Sequence, residues 1–394
     1  MTPTDPRVAL VTYSTKPRGG VVHTLSLAEA LFDAGVDVQI ITLGDPAVGF
    51  YRPTRVPTVI VPSPPKHDRL EDRIFACIDA LEAGLRAVAH RFDVLHTQDC
   101  ISARAAARVR DDGAPFALLR TVHHIDDFTT EVLINCQNQA VQEPDRVLVV
   151  SDQWRKILLD EHGVEAEIVP NGVDATRFGP ISAARRAELR HRIGADTPDG
   201  THRFLLLSVG GIEPRKGTMH LVRALAALRG TVHPAPMLAI VGDHSFQDYR
   251  QYRDTCLELV KYLDLEIGHD VILLGEVPDS ELPEWYRAAD ALAFPSTKEG
   301  WGLAVLEAMA ADLPVVTSDL PVFHEYLTDG VDALMTPTRD VPALAEALTR
   351  VVNSPELRAR LVDNAHSVVE RFSWQQSAAR HQEIYAAHRA GARV

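Results

Sequence analysis

RVALVTYSTKPRGGVVHTLSLAEALFDAGVDVQIITLG, residues 7–44, decides the fold. An apolar run (7–14) is broken by TKPRGG. Apolar positions at helical spacing follow, and 36–44 alternates in the manner of a strand. Strand, glycine loop, helix, strand is the unit from which parallel sheets are built. FDVLHTQD (92–99), FALLRTVHH (116–124) and DRVLVVS (145–151) read as further strands, with helix-like stretches between them.

HRFLLLSVGGIEPRKG (202–217) starts the same pattern again. MLAIVGDH (237–244), then DVILLGEV, DALAFPS, LPVVTSD and DALMTPT, continue it as strands interleaved with helical patterns. The fold class is therefore α/β, with each half a doubly wound, Rossmann-like domain. VPNGVDATRFGP (169–180) breaks periodicity with Pro, Asn, Gly and Asp and marks the hinge. The expected domains are 1–178 and 179–372, followed by a helix over 373–394 with Trp374 near its start.

At 394 residues the chain is long enough for two cores. A composition of 46% hydrophobic and 24% charged residues is that of a globular protein. The formal net charge of −14 argues against nucleic acid as a partner and against an anionic membrane held by bulk electrostatics. An anionic ligand would need positive charge gathered locally. The four scattered cysteines form no C-x-x-C and read as small apolar residues of a reducing compartment. No apolar stretch reaches the roughly 18 residues of a membrane span, and the first 20 residues lack the apolar core of a signal peptide. The expected location is cytoplasmic.

Four loops fall at the carboxyl ends of expected strands, where doubly wound sheets bind ligands. In PRGGVV (17–22), Gly19 and Gly20 let a ligand approach the backbone at a helix start; glycine pairs after a first strand are also common without a ligand. No G-x-G-x-x-G occurs, which disfavours a dinucleotide-binding dehydrogenase. In TVHHIDDF (121–128), His123 and His124 offer imidazoles for a hydroxyl or for proton transfer. Asp126 and Asp127 follow, but H-H-x-D-D is not a common metal spacing, and no metal is expected. In SVGGIEPRKG (208–217), Arg215 and Lys216 gather the positive charge that an acidic chain needs for a phosphate; the bland alternative is an exposed basic turn. In STKEGWGLAVLEAMA (296–310), Glu299 precedes a glycine turn and Glu307 lies inside the helix that starts near Gly302. Carboxylates accept paired hydrogen bonds and suit vicinal diols of a sugar or ribose.

Taken in order, RGG, TVHH, VPNGVD, PRKG and the E-x₇-E of Glu299 and Glu307 resemble the retaining glycosyltransferases of family 4 along essentially the whole chain. The resemblance implies the GT-B fold, two Rossmann-like domains facing a deep cleft. The first domain would take the acceptor, the second the nucleotide sugar, and the C-terminal helix would pack back onto the first. It implies that Glu299 holds the donor sugar and that the backbone of Gly300, Trp301, Gly302 and Leu303 meets sugar and diphosphate. Glu307 would grip the ribose, Lys216 the diphosphate, and Val277 the base through its backbone. His123 would sit near the reacting carbon, with His124 the second claimant, and Gly19 and Gly20 would close over the phosphates. Family members carry an arginine where this chain has Gly211; Arg215 is expected to replace it.

The implied activity is metal-independent transfer of a hexose-type sugar, with retention, from a UDP- or GDP-sugar to a small or lipid-linked acceptor. No further cofactor is needed. Peripheral membrane contact and a monomer or homodimer both stay open. Alternatives are a catalytically weak sugar-nucleotide-binding protein and a related epimerase.

Overall fold

The computed structural model describes residues 6–242 and 249–390. The last two residues of the strand expected over 237–244, and the last four of the C-terminal helix, lie outside the described residues. The chain divides into two units. One runs to Gly172 and includes the segment from Trp374; the other is Val173–Ser373.

The first unit holds β1 (Val8–Thr12), β2 (Val38–Gly44), β3 (Thr58–Pro62), β4 (Val94–Thr97), β5 (Ala117–Val122), β6 (Arg146–Val149) and β7 (Ala166–Ile168). They form one parallel sheet in the order β3-β2-β1-β4-β5-β6-β7. Its helices are α1 (Gly19–Asp33), α2 (Leu70–Val88), α3 (Cys100–Asp111), α4 (Glu131–Gln142) and α5 (Asp152–His162).

The second unit contributes α6 (Ala183–Arg192), β8 (Leu205–Val209), α7 (Thr218–Arg229), β9 (Met237–Val241), α8 (Arg250–Tyr262), β10 (Val271–Gly275), α9 (Leu282–Ala288), β11 (Ala291–Phe294), α10 (Leu303–Ala310), β12 (Val315–Ser318), β13 (Leu334–Thr336), α11 (Val341–Asn353) and α12 (Pro355–Arg371). Its parallel sheet runs β10-β9-β8-β11-β12-β13. Last comes α13 (Trp374–Ala390), which packs on α1 of the first unit.

Central strands covered on both faces read as continuous apolar runs. All of Val8–Thr12 is buried, as are Ala291–Phe294 and Val315–Ser318. The edge strands β3 and β7 are only half-covered. Helix starts are fixed locally: Asp99 caps α3 by accepting from Ser102 N at 2.7 Å. Strand order reverses between β1 and β4 in one sheet and between β8 and β11 in the other. These are the switch points at which loops part and leave a crevice at the strand ends. The loop after β1 meets the start of β4's loop there, and the β8 and β11 loops meet likewise.

Candidate functional site

In the second unit the chain leaves β8 through Gly210 and Gly211, at φ +125° and +74°. A short 3₁₀ turn, Pro214–Lys216, follows. Gly217, at φ +69°, then starts α7 hard against the β11 loop. Thr297 N donates to Arg215 O at 2.7 Å and ties the two loops together. A positive φ at 211 is a conformation that an arginine adopts only under strain. Gly211 is thus part of the turn that presents Arg215 and Lys216, and not simply a truncated arginine.

Those two side chains converge on Glu299. Lys216 Nζ donates to Glu299 Oε1 at 2.6 Å and Arg215 Nη1 to the same oxygen at 3.3 Å. Arg215 Nε also pairs with Glu213 Oε2 at 3.0 Å. Lys216 and Glu299 are buried while Arg215 is about half-exposed, with side chains 10%, 7% and 45% accessible. Lys216 Nζ further lies 4.5 Å over the Phe294 ring. Burial works to raise the Glu299 carboxyl, but the Lys216 and Arg215 charges outweigh it and hold the group below its ordinary range. Burial, with Arg215 adding to it, pushes the Lys216 ammonium down. The arrangement is a buried ion pair with a second, solvent-reaching cation beside it.

Gly302 precedes α10 at φ +93°. A Cβ there would come within 2.5 Å of Phe323 Cε1. Trp301 is 4% exposed and stacks at 4.9 Å on Tyr326 and 5.2 Å on Phe372. Tyr326 Oη donates to Trp301 O at 2.8 Å. The tryptophan side chain therefore anchors the turn from below. Gly300 is partly exposed, as is Leu303 at the helix start. On the next turn of α10, Glu307 Oε2 accepts from Tyr286 Oη at 2.7 Å. Burial raises the Glu307 carboxyl. Val277 is partly buried in the loop after β10.

In the first unit, α1 begins at Gly19, so both glycines belong to its first turn. Gly19 has open space where a Cβ would stand. At Gly20 a Cβ would lie 3.6 Å from His123 Cδ2 and 3.8 Å from Gln98 O. His123 Nε2 donates to Gln98 Oε1 at 3.1 Å. His124 is exposed and faces Asp126 Oδ1 at 3.5 Å. Among the described residues no cluster of three or more His, Cys, Asp or Glu has metal-binding geometry.

Behind His123 lies a set of buried imidazoles. His23 meets His123 edge-on at 4.5 Å and donates from Nδ1 to Asn171 Oδ1 at 2.7 Å. His381 of α13 lies 6.3 Å from His23 and 5.4 Å from His96. His96 sits between Tyr385 Oη, at 2.7 Å, and Thr121 Oγ1, at 2.8 Å. Sequence reading missed Gln98, His23, His96 and His381. The position of Gln98 just after a strand was its one available signal.

Burial pushes His23 down to about 3, with the His381 charge adding to it. Burial likewise brings His381 down to about 4. The unfolded chain binds protons at these sites below about pH 6.5, and the folded chain does not. Stability contributed by the neutral imidazoles is therefore complete above about 6.5 and is lost as pH falls toward 4 and 3. Thermal melts are expected to show Tm falling between pH 7 and 5, before most carboxylates titrate, with a shallower slope in His381→Gln. A Tm flat across that window in the parent would contradict this account.

The description "Glycosyltransferase Family 4" matches residues 17–177, and "Glycosyl transferases group 1" matches 192–368. The chain is 31% identical to the D-inositol 3-phosphate glycosyltransferase of Frankia alni, over 92% of this chain and 93% of that one. It is 29% identical to the enzyme of the same name from Xylanimonas cellulosilytica, over 97% and 96%. Among solved structures, Anabaena Alr3699/HepE in complex with UDP and glucose superposes with a TM-score of 0.81 at 21% identity, covering 97% of this chain and 100% of that one. Sucrose-phosphate synthase from Thermosynechococcus elongatus gives 0.82 at 24%, covering 98% and 99%. Two parallel Rossmann-like sheets, the paired loops at their switch points and these likenesses lead to one conclusion: the chain belongs to glycosyltransferase family 4, a retaining family, and has the GT-B fold.

Proposed function

We propose that the second unit binds a nucleoside diphosphate sugar and that the protein transfers its sugar, with retention, to a hydroxyl of an acceptor held by the first unit. The observation that carries this reading is the buried Lys216–Glu299 pair, with Arg215 beside it, at the switch point of the second sheet. As the anomeric C–O bond lengthens, negative charge gathers on the departing diphosphate, whose oxygen takes the proton of the acceptor hydroxyl as the new C–O bond forms. Lys216, Arg215 and the start of α10 at Gly302 are fixed before the reaction begins, so they stabilise that charge without reorganising. The same two cations supply the charge that a divalent metal provides elsewhere, and transfer needs none.

Glu299 holds hydroxyls of the donor sugar beside the cations. Glu307, oriented by Tyr286, accepts from the ribose through its other oxygen. The backbone of Gly300, Trp301, Gly302 and Leu303 meets the sugar and diphosphate, and Val277 meets the base. In the first unit, Gly19 and Gly20 leave the backbone at the start of α1 open to a ligand, and His123 orients a substrate hydroxyl. The donor is a UDP-hexose, a choice supported by the HepE complexes with UDP and with UDP-glucose. The acceptor is a small polyol, supported by the D-inositol 3-phosphate glycosyltransferases among the relatives.

The test is a screen of UDP- and GDP-sugars against polyol acceptors, D-inositol 3-phosphate among them, with EDTA present and absent. Transfer from a UDP-sugar, unchanged by EDTA, is expected. Glu307→Ala is expected to weaken UDP binding about 10- to 100-fold, the loss of a charged hydrogen bond. Glu299→Ala should act mainly on kcat. A protein that neither binds nor turns over any nucleotide sugar would sink the reading.

A further inference from the structure

We propose that Gln98 is a positioning residue for sugar transfer: its side-chain carbonyl takes the Nε2–H of His123 and fixes the tautomer whose Nδ1 presents a lone pair to a substrate hydroxyl. The inference rests on the function proposed above and adds to it a residue and a protonation state.

Topology brings the two side chains together. Gln98 is the first residue beyond β4 and His123 the first beyond β5, on neighbouring strands whose register pairs Thr97 with Arg120. Gln98 N donates to Val11 O at 3.0 Å, which pins the glutamine backbone to β1 across the switch point. The Gln98 side chain is buried and its residue 3% exposed, so it has little freedom to turn away. A carboxamide oxygen only accepts, so the His123 nitrogen 3.1 Å from it must carry the proton. In a neutral imidazole the other nitrogen is then the bare one.

The surroundings hold this state on every side. His23 stands edge-on at 4.5 Å and is itself fixed by Asn171. Gly20 closes over the ring edge, where a Cβ would be 3.6 Å from Cδ2. The charged or titratable groups that face His123 are His23 on α1, His96 on β4, Arg120 on β5 and His124 on its own loop. Of these, Arg120 carries a standing positive charge that opposes one on His123, and burial, the largest influence, does the same. No carboxylate stands among these to stabilise an imidazolium, and Gln98 occupies the place where one would do so. His123 thus accepts a hydrogen bond from a substrate hydroxyl and does not deliver a proton to it. The Gln98 amide nitrogen is buried and has no hydrogen-bond partner among the described residues. It is a donor that a second substrate oxygen or an ordered water would satisfy.

Long-range ¹H–¹⁵N spectra of the full chain, with His123 assigned by difference from His123→Asn, read the tautomer directly. The parent is expected to show neutral His123 protonated at Nε2 between pH 6 and 8. Gln98→Leu should lose that preference and lower kcat about 10- to 100-fold, the scale of a misplaced group. Its UDP affinity, assigned to the other unit, should not change. Gln98→Glu should keep the Nε2 proton, restore most of kcat at pH 9, and lose activity toward lower pH as the new carboxylate charges the imidazole. A parent His123 protonated at Nδ1, or a Gln98→Leu variant with parental kcat, overturns the proposal. If the parent transfers no sugar at all, the function above fails while the spectra still decide the tautomer.

Discussion

Lys216→Ala is expected to lower kcat for sugar transfer about 10²- to 10³-fold, the cost of removing one preorganised group from the charge that develops on the leaving diphosphate. Lys216 is the buried cation of the site, 2.6 Å from Glu299 and 4.5 Å over Phe294. Removing it also takes away the charge that does most to hold the Glu299 carboxyl down, so burial then raises it. Arg215→Ala should cost less, because that guanidinium is 45% accessible and is already shared with Glu213. The measurement is kcat and KM for a UDP-sugar, beside circular dichroism to confirm that each variant folds. A Lys216→Ala enzyme within threefold of the parent in kcat would show that the diphosphate is met elsewhere. If Arg215→Ala proves the worse of the two, Arg215 is the main counter-charge, as its proposed replacement of an arginine at 211 would then require.

The two sheets were legible because each central strand is covered on both faces and so reads as an unbroken apolar run between glycine turns. Two edge strands were not. Thr58–Pro62 is bracketed by prolines, which belong at sheet edges and hide the strand signal. Ala166–Ile168 has only three residues, all half-exposed. The candidate loops were legible for a different reason: a glycine pair or a cation pair just after a strand places chemistry at a carboxyl end. Their partners were not, because they are set by strand order and not by spacing. Gln98 reaches His123 only because β4 and β5 are neighbours, and His23 meets Asn171 across 148 positions of sequence. For Trp301 the family resemblance implied a place beside a ligand through its backbone. Its side chain proved to serve the packing beneath the turn, a distinction that depends on Tyr326 and Phe372 arriving from later in the chain.

Gly217→Ala is expected to destabilise the second unit by about 2–5 kcal/mol, from about 1–2 for an alanine held at positive φ and about 1–3 for overpacking. A Cβ at 217 would lie 2.0 Å from Pro295 O and 3.0 Å from Pro295 C, and both are backbone atoms that no rotamer change can move aside. The close approach is what lets Thr297 N reach Arg215 O and Lys216 reach Glu299, so forcing the loops apart breaks those links as well. Gly268→Ala separates the two contributions. Gly268 has φ +91° but open space where a Cβ would stand, so only the conformational strain applies. Urea unfolding should therefore place Gly268→Ala within about 1–2 kcal/mol of the parent and Gly217→Ala well beyond it. UDP affinity should fall only in Gly217→Ala, since Gly268 lies away from the loops that carry Lys216 and Glu299. Equal losses in the two variants would mean that the β8 and β11 loops tolerate separation, and that the contact through Gly217 is not what holds the cations against Glu299.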